Sequence, residues 1–135
     1  MWGWLGRRKK APPIRSLIGE ATLFQGDVTF SDGLRIDGTV VGNVSAVAGS
    51  ASLLVIGENA RVHGSIVAGH VIINGEVRGA VRSDELIELQ PKARIDGDVR
   101  YEAIEMHPGA LVQGKLVPLE SADRPMLKLA ASNDV

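Results

Sequence analysis

The chain contains no cysteine. That excludes disulfides, thiolate metal sites and cysteine nucleophiles, and it fits a reducing compartment. Aromatic residues are scarce, two Trp, two Phe and one Tyr among 135 residues, so any core must be built from Val, Ile, Leu and Ala. No apolar run reaches the 18 or so residues that a membrane-spanning helix needs. The opening MWGWLGRRKK does not read as a secretory signal, because its charges follow its apolar residues and no long apolar stretch comes next. No Gly-Lys-Ser/Thr sequence and no helix-opening GxGxxG is present, so the glycines point to bends and crowded packing rather than to a phosphate cradle. What remains is 44% hydrophobic and 23% charged, a globular composition.

The net charge of −1 is unevenly spread. Residues 1–17 carry five bases and no acid, whereas 18–117 carry 13 acids against eight bases. A basic arm on an acidic body argues against a nucleic-acid binder and for an arm that meets an anionic surface. Within that arm, Met1, Trp2, Trp4 and Leu5 precede Arg7, Arg8, Lys9 and Lys10. Tryptophan suits headgroup depth and each base adds about 1 kcal/mol beside an anionic leaflet, so these eight residues are the candidate membrane-binding set. The competing reading is a Trp pair folded back as a plug on the end of the body. Met1 is followed by Trp rather than Gly, so no myristoylation signal is expected. Pro12-Pro13 marks a linker. The expected organisation is a flexible arm over 1–16, one folded domain over 17–117 and a flexible tail over 118–135.

The middle is repetitive. An apolar-x-Gly-x-apolar unit recurs at 24–28, 36–40, 62–66, 73–77, 95–99 and 112–116. The segments IGEATLFQG, IGENARVHG, LQPKARIDG and MHPGALVQG, at 18–26, 56–64, 89–97 and 106–114, align without gaps. Alternation with period two predicts strands, with one face buried and one wet. One glycine per cycle, at 26, 42, 64, 79, 97 and 114, gives steps of 16, 22, 15, 18 and 17 residues. That length suits one coil of a three-sided β-solenoid, each strand pairing in parallel with the equivalent strand about 4.8 Å away. Six coils make a rod roughly 29 Å long. The long step predicts a loop bulging at 46–52. The rival is an antiparallel sandwich, supported by Asp-Gly and Asn-Gly pairs. Those at 37–38, 74–75 and 96–97 lie inside the alternating units, which favours the solenoid. Stacked charges are expected to alternate, Asp37, Asp96 and Asp98 against Arg35, Arg94 and Arg100. The three histidines are expected at the surface rather than on a metal.

This array, most clearly SLIGEATLFQGDV at 16–28, LRIDGTVVGNV at 34–44 and ARIDGDVRYEAIEM at 93–106, resembles the bactofilins. The resemblance covers about residues 17–117. It implies an all-β, right-handed, three-sided, single-stranded parallel β-helix. It further implies a bacterial cytoskeletal protein that polymerises without nucleotide or other cofactor into nonpolar filaments on the cytoplasmic face of the inner membrane, where it positions peptidoglycan-modifying enzymes or other shape factors. No enzyme activity, small-molecule substrate or nucleic-acid partner is expected. The alternatives are a β-helix acyltransferase or carbohydrate-active enzyme, and an ice-binding solenoid, which a charged wet face disfavours. A solenoid with no cap exposes its terminal coils. The expected self-association surface is therefore Ile18, Leu23 and Phe24 at one end and Leu111, Val112 and Leu116 at the other. Bactofilins often place an aromatic residue in the last coil; here Val112 and Leu116 stand in for it.

Overall fold

In a computed structural model, which describes residues 11–119, the strands wind into six successive coils. Coil 1 is β1 (Ile14–Ile18), β2 (Leu23–Gln25) and β3 (Val28–Phe30); coil 2 is β4 (Asp32–Ile36), β5 (Thr39–Val41) and β6 (Val44–Ala46). Coil 3 is β7 (Ser52–Ile56), β8 (Arg61–His63) and the start of β9 (Ile66–Ile73). Coil 4 is the rest of β9, β10 (Glu76–Arg78) and the start of β11 (Val81–Leu89). Coil 5 is the rest of β11, β12 (Arg94–Asp96) and β13 (Val99–Tyr101), and coil 6 is β14 (Ile104–Met106), β15 (Leu111–Gln113) and β16 (Leu116–Pro118). The three strand positions of successive coils stack into three faces. Every ladder is parallel, for example Phe24 on Val40, Val40 on Val62, Val62 on Val77, Val77 on Ile95 and Ile95 on Val112 along the second face. These steps equal those between the repeated glycines, so the glycine spacing reports the coil.

Inside, Ile36, Val40, Val44, Leu54, Ile56, Val62, Ile66, Ile73, Val77, Ile87, Leu89 and Val99 are fully buried. β-branched residues dominate because a stacked parallel ladder crowds their Cβ substituents favourably.

The apolar-x-Gly-x-apolar unit is not a strand, contrary to expectation, but a corner between two strands. Phe24 and Gln25 end β2, Gly26 turns, and Val28 opens β3. The alternation survives because both flanking apolar residues still point inward. The six per-coil glycines all have positive φ, from +131° at Gly26 to +157° at Gly64. They stack so closely that a Cβ on Gly42, Gly64, Gly79, Gly97 or Gly114 would meet the carbonyl oxygen of the glycine one coil before. The residue after the glycine binds the next coil. Asp27 Oδ1 accepts from the Asn43 N–H, Asn43 Oδ1 from the Ser65 N–H and Asp98 Oδ1 from the Lys115 N–H, each at 2.9 Å.

Asp37-Gly38 and Asn74-Gly75 occupy the corner between the first and second faces, between strands and not within one. They are not hairpin turns, since the strands they join belong to different ladders. The other four coils use a four-residue bend here, which accounts for part of the unequal coil lengths. The bulge lies at 47–51, between β6 and β7, where expected. In coils 4 and 5 the chain runs through that same corner without a break, as β9 and β11. Two buried hydroxyls hold it: Ser52 Oγ accepts from the Gly69 N–H and Ser83 Oγ donates to the Gly69 carbonyl, both at 2.8 Å.

Candidate functional site

The two ends of the rod differ from its middle. Ile18, Phe24 and Val28 point inward and stack on Ile36, Val40 and Val44, but with no coil on their other side. Phe24 is 39% exposed, whereas Val40 beneath it is fully buried. At the far end Ile104, Met106, Val112 and Leu116 stack on Ile87, Leu89, Ile95 and Val99. Met106 is 46% and Leu116 43% exposed. Beside these side chains the terminal strands present N–H and C=O groups with no further coil to pair them, and no described residue covers either end. Such edges template pairing with another chain.

Of the expected end residues, Ile18, Phe24, Val112 and Leu116 therefore lie at the ends of the core, Ile18 and Val112 only half-exposed. Leu23 and Leu111 do not. Neighbours along a strand point to opposite sides, so only one of Leu23 and Phe24, and one of Leu111 and Val112, can face the core. Leu23 and Leu111 sit on the outside of the second face, in the column of Thr39, Arg61, Glu76 and Arg94. They border the end surfaces rather than form them. Met106 belongs to the surface and went unrecognised in the sequence, although aligning MHPGALVQG with LQPKARIDG sets it on Leu89. The arm residues Met1, Trp2, Trp4, Leu5, Arg7, Arg8, Lys9 and Lys10 lie outside the described residues.

The lateral charges alternate only in part. Arg61, Glu76 and Arg94 stack with alternating sign, as do Arg78 and Asp96. But Arg82 stacks on Arg100, and Glu88 on Glu105. Arg35 pairs with Asp37 two residues on, within its own coil, at 2.9 Å, rather than across coils. Arg94 donates instead to the carbonyls of Ala93 and Gly109. Each histidine faces a glutamate of an adjoining coil: His63 Nε2 lies 3.8 Å from Glu76, His70 Nε2 3.5 Å from Glu85 and His107 Nε2 2.9 Å from Glu88. Glu88, Glu105 and His107 bring donor atoms within 4.8 Å of one another, a convergence that the His107–Glu88 pair itself accounts for.

The arrangement, apolar and edge-open at both ends and closed along its length, is one that self-association completes. Comparison with known proteins agrees. A family model for bactofilins, described as polymer-forming cytoskeletal, matches residues 16–117. Bactofilin BacO of Myxococcus xanthus is 30% identical over 109 residues, covering 81% of this chain and 83% of its own. Bactofilin BacP of the same organism is 24% identical over 101 residues, 75% of this chain and 40% of that one. A chain from a cryo-EM reconstruction of Thermus thermophilus bactofilin double helical filaments superposes with a TM-score of 0.67 at 28% identity, over 77% of this chain and 99% of that one. The chain belongs to the bactofilin family, and is a structural, filament-forming cytoskeletal protein.

Proposed function

We propose that this protein polymerises end to end without nucleotide, like end against like end, into nonpolar filaments held to the cytoplasmic face of the cell membrane by the arm that precedes β1, where they position cell-wall or cell-shape factors. The observation that carries the first part is the exposure of Phe24, Met106 and Leu116 beside open strand edges. Apolar side chains and unpaired backbone groups associate without a bound group to drive them. Like-with-like stacking and the positioning role rest on membership of the family. The anchor rests on Trp2, Trp4 and the four consecutive bases at 7–10. Neither signal alone gives tight binding, so both are needed together.

Electron microscopy of the purified chain without nucleotide tests assembly, and filaments are expected; discrete particles at all concentrations refute it. Co-sedimentation with vesicles containing phosphatidylserine tests the anchor. The whole chain pellets with the vesicles, and more weakly at high salt. A chain lacking residues 1–10 stays in the supernatant while still forming filaments. Undiminished vesicle binding by that shortened chain assigns membrane contact elsewhere.

A further inference from the structure

Among the described residues, the exposed large apolar side chains sit in the first and last coils, except for Val41, Val47 and Val67. Val47 and Val67, 47% and 36% exposed, line one groove of about 520 Å³, within the roughly 300–1,000 Å³ of ligand clefts. The groove lies at the corner between the third and first faces. The bulge, with Val47 and Ala48, forms one wall, Gly69 lies in the floor, and Asp84 and Glu85 form the other wall. The acidic wall is a β-bulge. Ala68 pairs with Ser83 and His70 with Leu86, so Asp84 and Glu85 together oppose Gly69. Glu85 Oε2 lies 3.1 Å from the place that a Cβ on Gly69 would take, so its carboxylate hangs over the floor.

We infer that this groove holds the chain's own tail, with Met126 and Leu129 against Val47 and Val67 and with Arg124 against Glu85. The described residues end at the same corner. The Leu119 N–H donates to the Tyr101 carbonyl and the Glu102 N–H to the Ser83 carbonyl, which places Leu119 over Glu102 and Glu102 over Asp84. The acidic wall is thus two coil steps from Leu119, about 10 Å, and the five residues on to Arg124 span up to about 17 Å. The order of residues matches too. Going back from coil 6, the chain meets Arg100 and Glu102, then Asp84 and Glu85, then the apolar floor. The tail runs Glu120 and Asp123, then Arg124, then Met126-Leu127-Lys128-Leu129-Ala130-Ala131. Arg100 stacks in register on Arg82, a like-charge pair that the carboxylates of Glu120 and Asp123 relieve in passing. Pro125 suits the first turn of a helix, and a helix from there sets Met126, Leu129 and Ala130 on one side and Lys128 on the other. So short a helix does not persist alone in water; the groove buries its apolar side.

The amino-terminal arm fits the groove less well. It joins coil 1, on the far side of the bulge, and its bases at 7–10 fall between its tryptophans and β1. Tryptophans seated in the groove would set those bases over the bulge, which carries no charge, rather than on the acidic wall. The tail of another copy has no tether here. The chain's own tail is held at an effective concentration of millimolar order, so a contact too weak to join separate chains suffices. The groove lies on the side of the rod, away from both open ends. Docking therefore leaves end-to-end assembly free, and the inference does not rest on it.

The chain has no cysteine, so introduced thiols report on their own positions alone. In the whole chain under a mild oxidant, Val47→Cys with Leu129→Cys is expected to give an intrachain disulfide, monomer-sized on a denaturing gel. It should form at least about tenfold faster than in Val41→Cys with Leu129→Cys, since Val41 is similarly exposed but lies on the second face. Glu85→Arg should slow the first crosslink about threefold, and Arg124→Glu in the same chain should restore it. Without cysteines, hydrogen exchange at 47–51 should quicken several-fold when residues 120–135 are removed. Equal rates for the two cysteine pairs, no slowing by Glu85→Arg, or unchanged exchange at 47–51 overturns the inference. So does a dimer-sized product from the Val47→Cys, Leu129→Cys chain, which would seat another copy's tail in the groove.

Discussion

A single methyl group separates the two kinds of glycine in this chain. At Gly79 the backbone sits at φ +153°, and an added Cβ meets the Gly64 carbonyl. The adjoining coils must part to admit it. Gly49, in the bulge, also has positive φ, +80°, but nothing lies within 4 Å of its missing Cβ. Gly79→Ala is therefore expected to cost about 3 kcal/mol, from overlap and backbone strain together. Gly49→Ala should cost about 1 kcal/mol, the strain alone. Thermal melting of the two variants measures the difference, about 10 °C or more for a domain of this size; equal melting temperatures would sink the close-approach argument. The spacing of these glycines was the clearest structural signal in the sequence. Their role was not, because period-two alternation passes through a sharp corner unchanged when both flanking residues point inward. Pattern alone cannot tell a bent strand pair from a straight one.

At the scale of the element, most strands are only three residues long and contribute little by themselves; the longest, β9 and β11, carry the chain round a corner that is broken at Ser31, at 47–51 and at 102–103. Their continuity depends on Gly69, whose N–H and C=O are both taken by buried serines. Removing the Ser52 hydroxyl strands a backbone donor, which costs about 1–3 kcal/mol. Removing that of Ser83 strands a carbonyl, and unpaired carbonyls are better tolerated. Ser52→Ala should thus lower the urea midpoint more than Ser83→Ala; the reverse order would show that Gly69 does not hold the corner. Neither serine stood out in the sequence, since an isolated Ser in an apolar strand reads as outward-facing. The first face was misread for a related reason. The repeat unit samples the corners around the second and third faces, and its intervening residues are polar there. The apolar outer residues Leu53, Val55, Ile72 and Leu86 fall between units, so the expectation of one uniformly wet surface did not meet them.

For the whole molecule the open question is how ends meet. Among the described residues nothing covers the outermost coils, at 14–30 and 104–118. Which of their residues face the end is hard to read from sequence, since burial parity there is set by one residue's phase. Val112 packs partly against the core, so a charge there risks unfolding coil 6. Phe24 and Leu116, 39% and 43% exposed, are the cleaner probes. Phe24→Arg should disable the first coil as a contact and Leu116→Arg the last, since a buried unpaired charge costs several kcal/mol. In a nonpolar filament each junction uses one kind of end. Blocking one kind leaves the other free to pair, so each single variant forms dimers and the double variant is monomeric. In a polar filament every junction needs both kinds, and any blocked end yields monomers. Light scattering on the two single variants and the double variant, with circular dichroism to establish that each keeps its strands, separates these cases. Dimers from both single variants are the expected result. Monomers from either, while the unaltered chain forms filaments, would mean that unlike ends meet and that the filament has a direction.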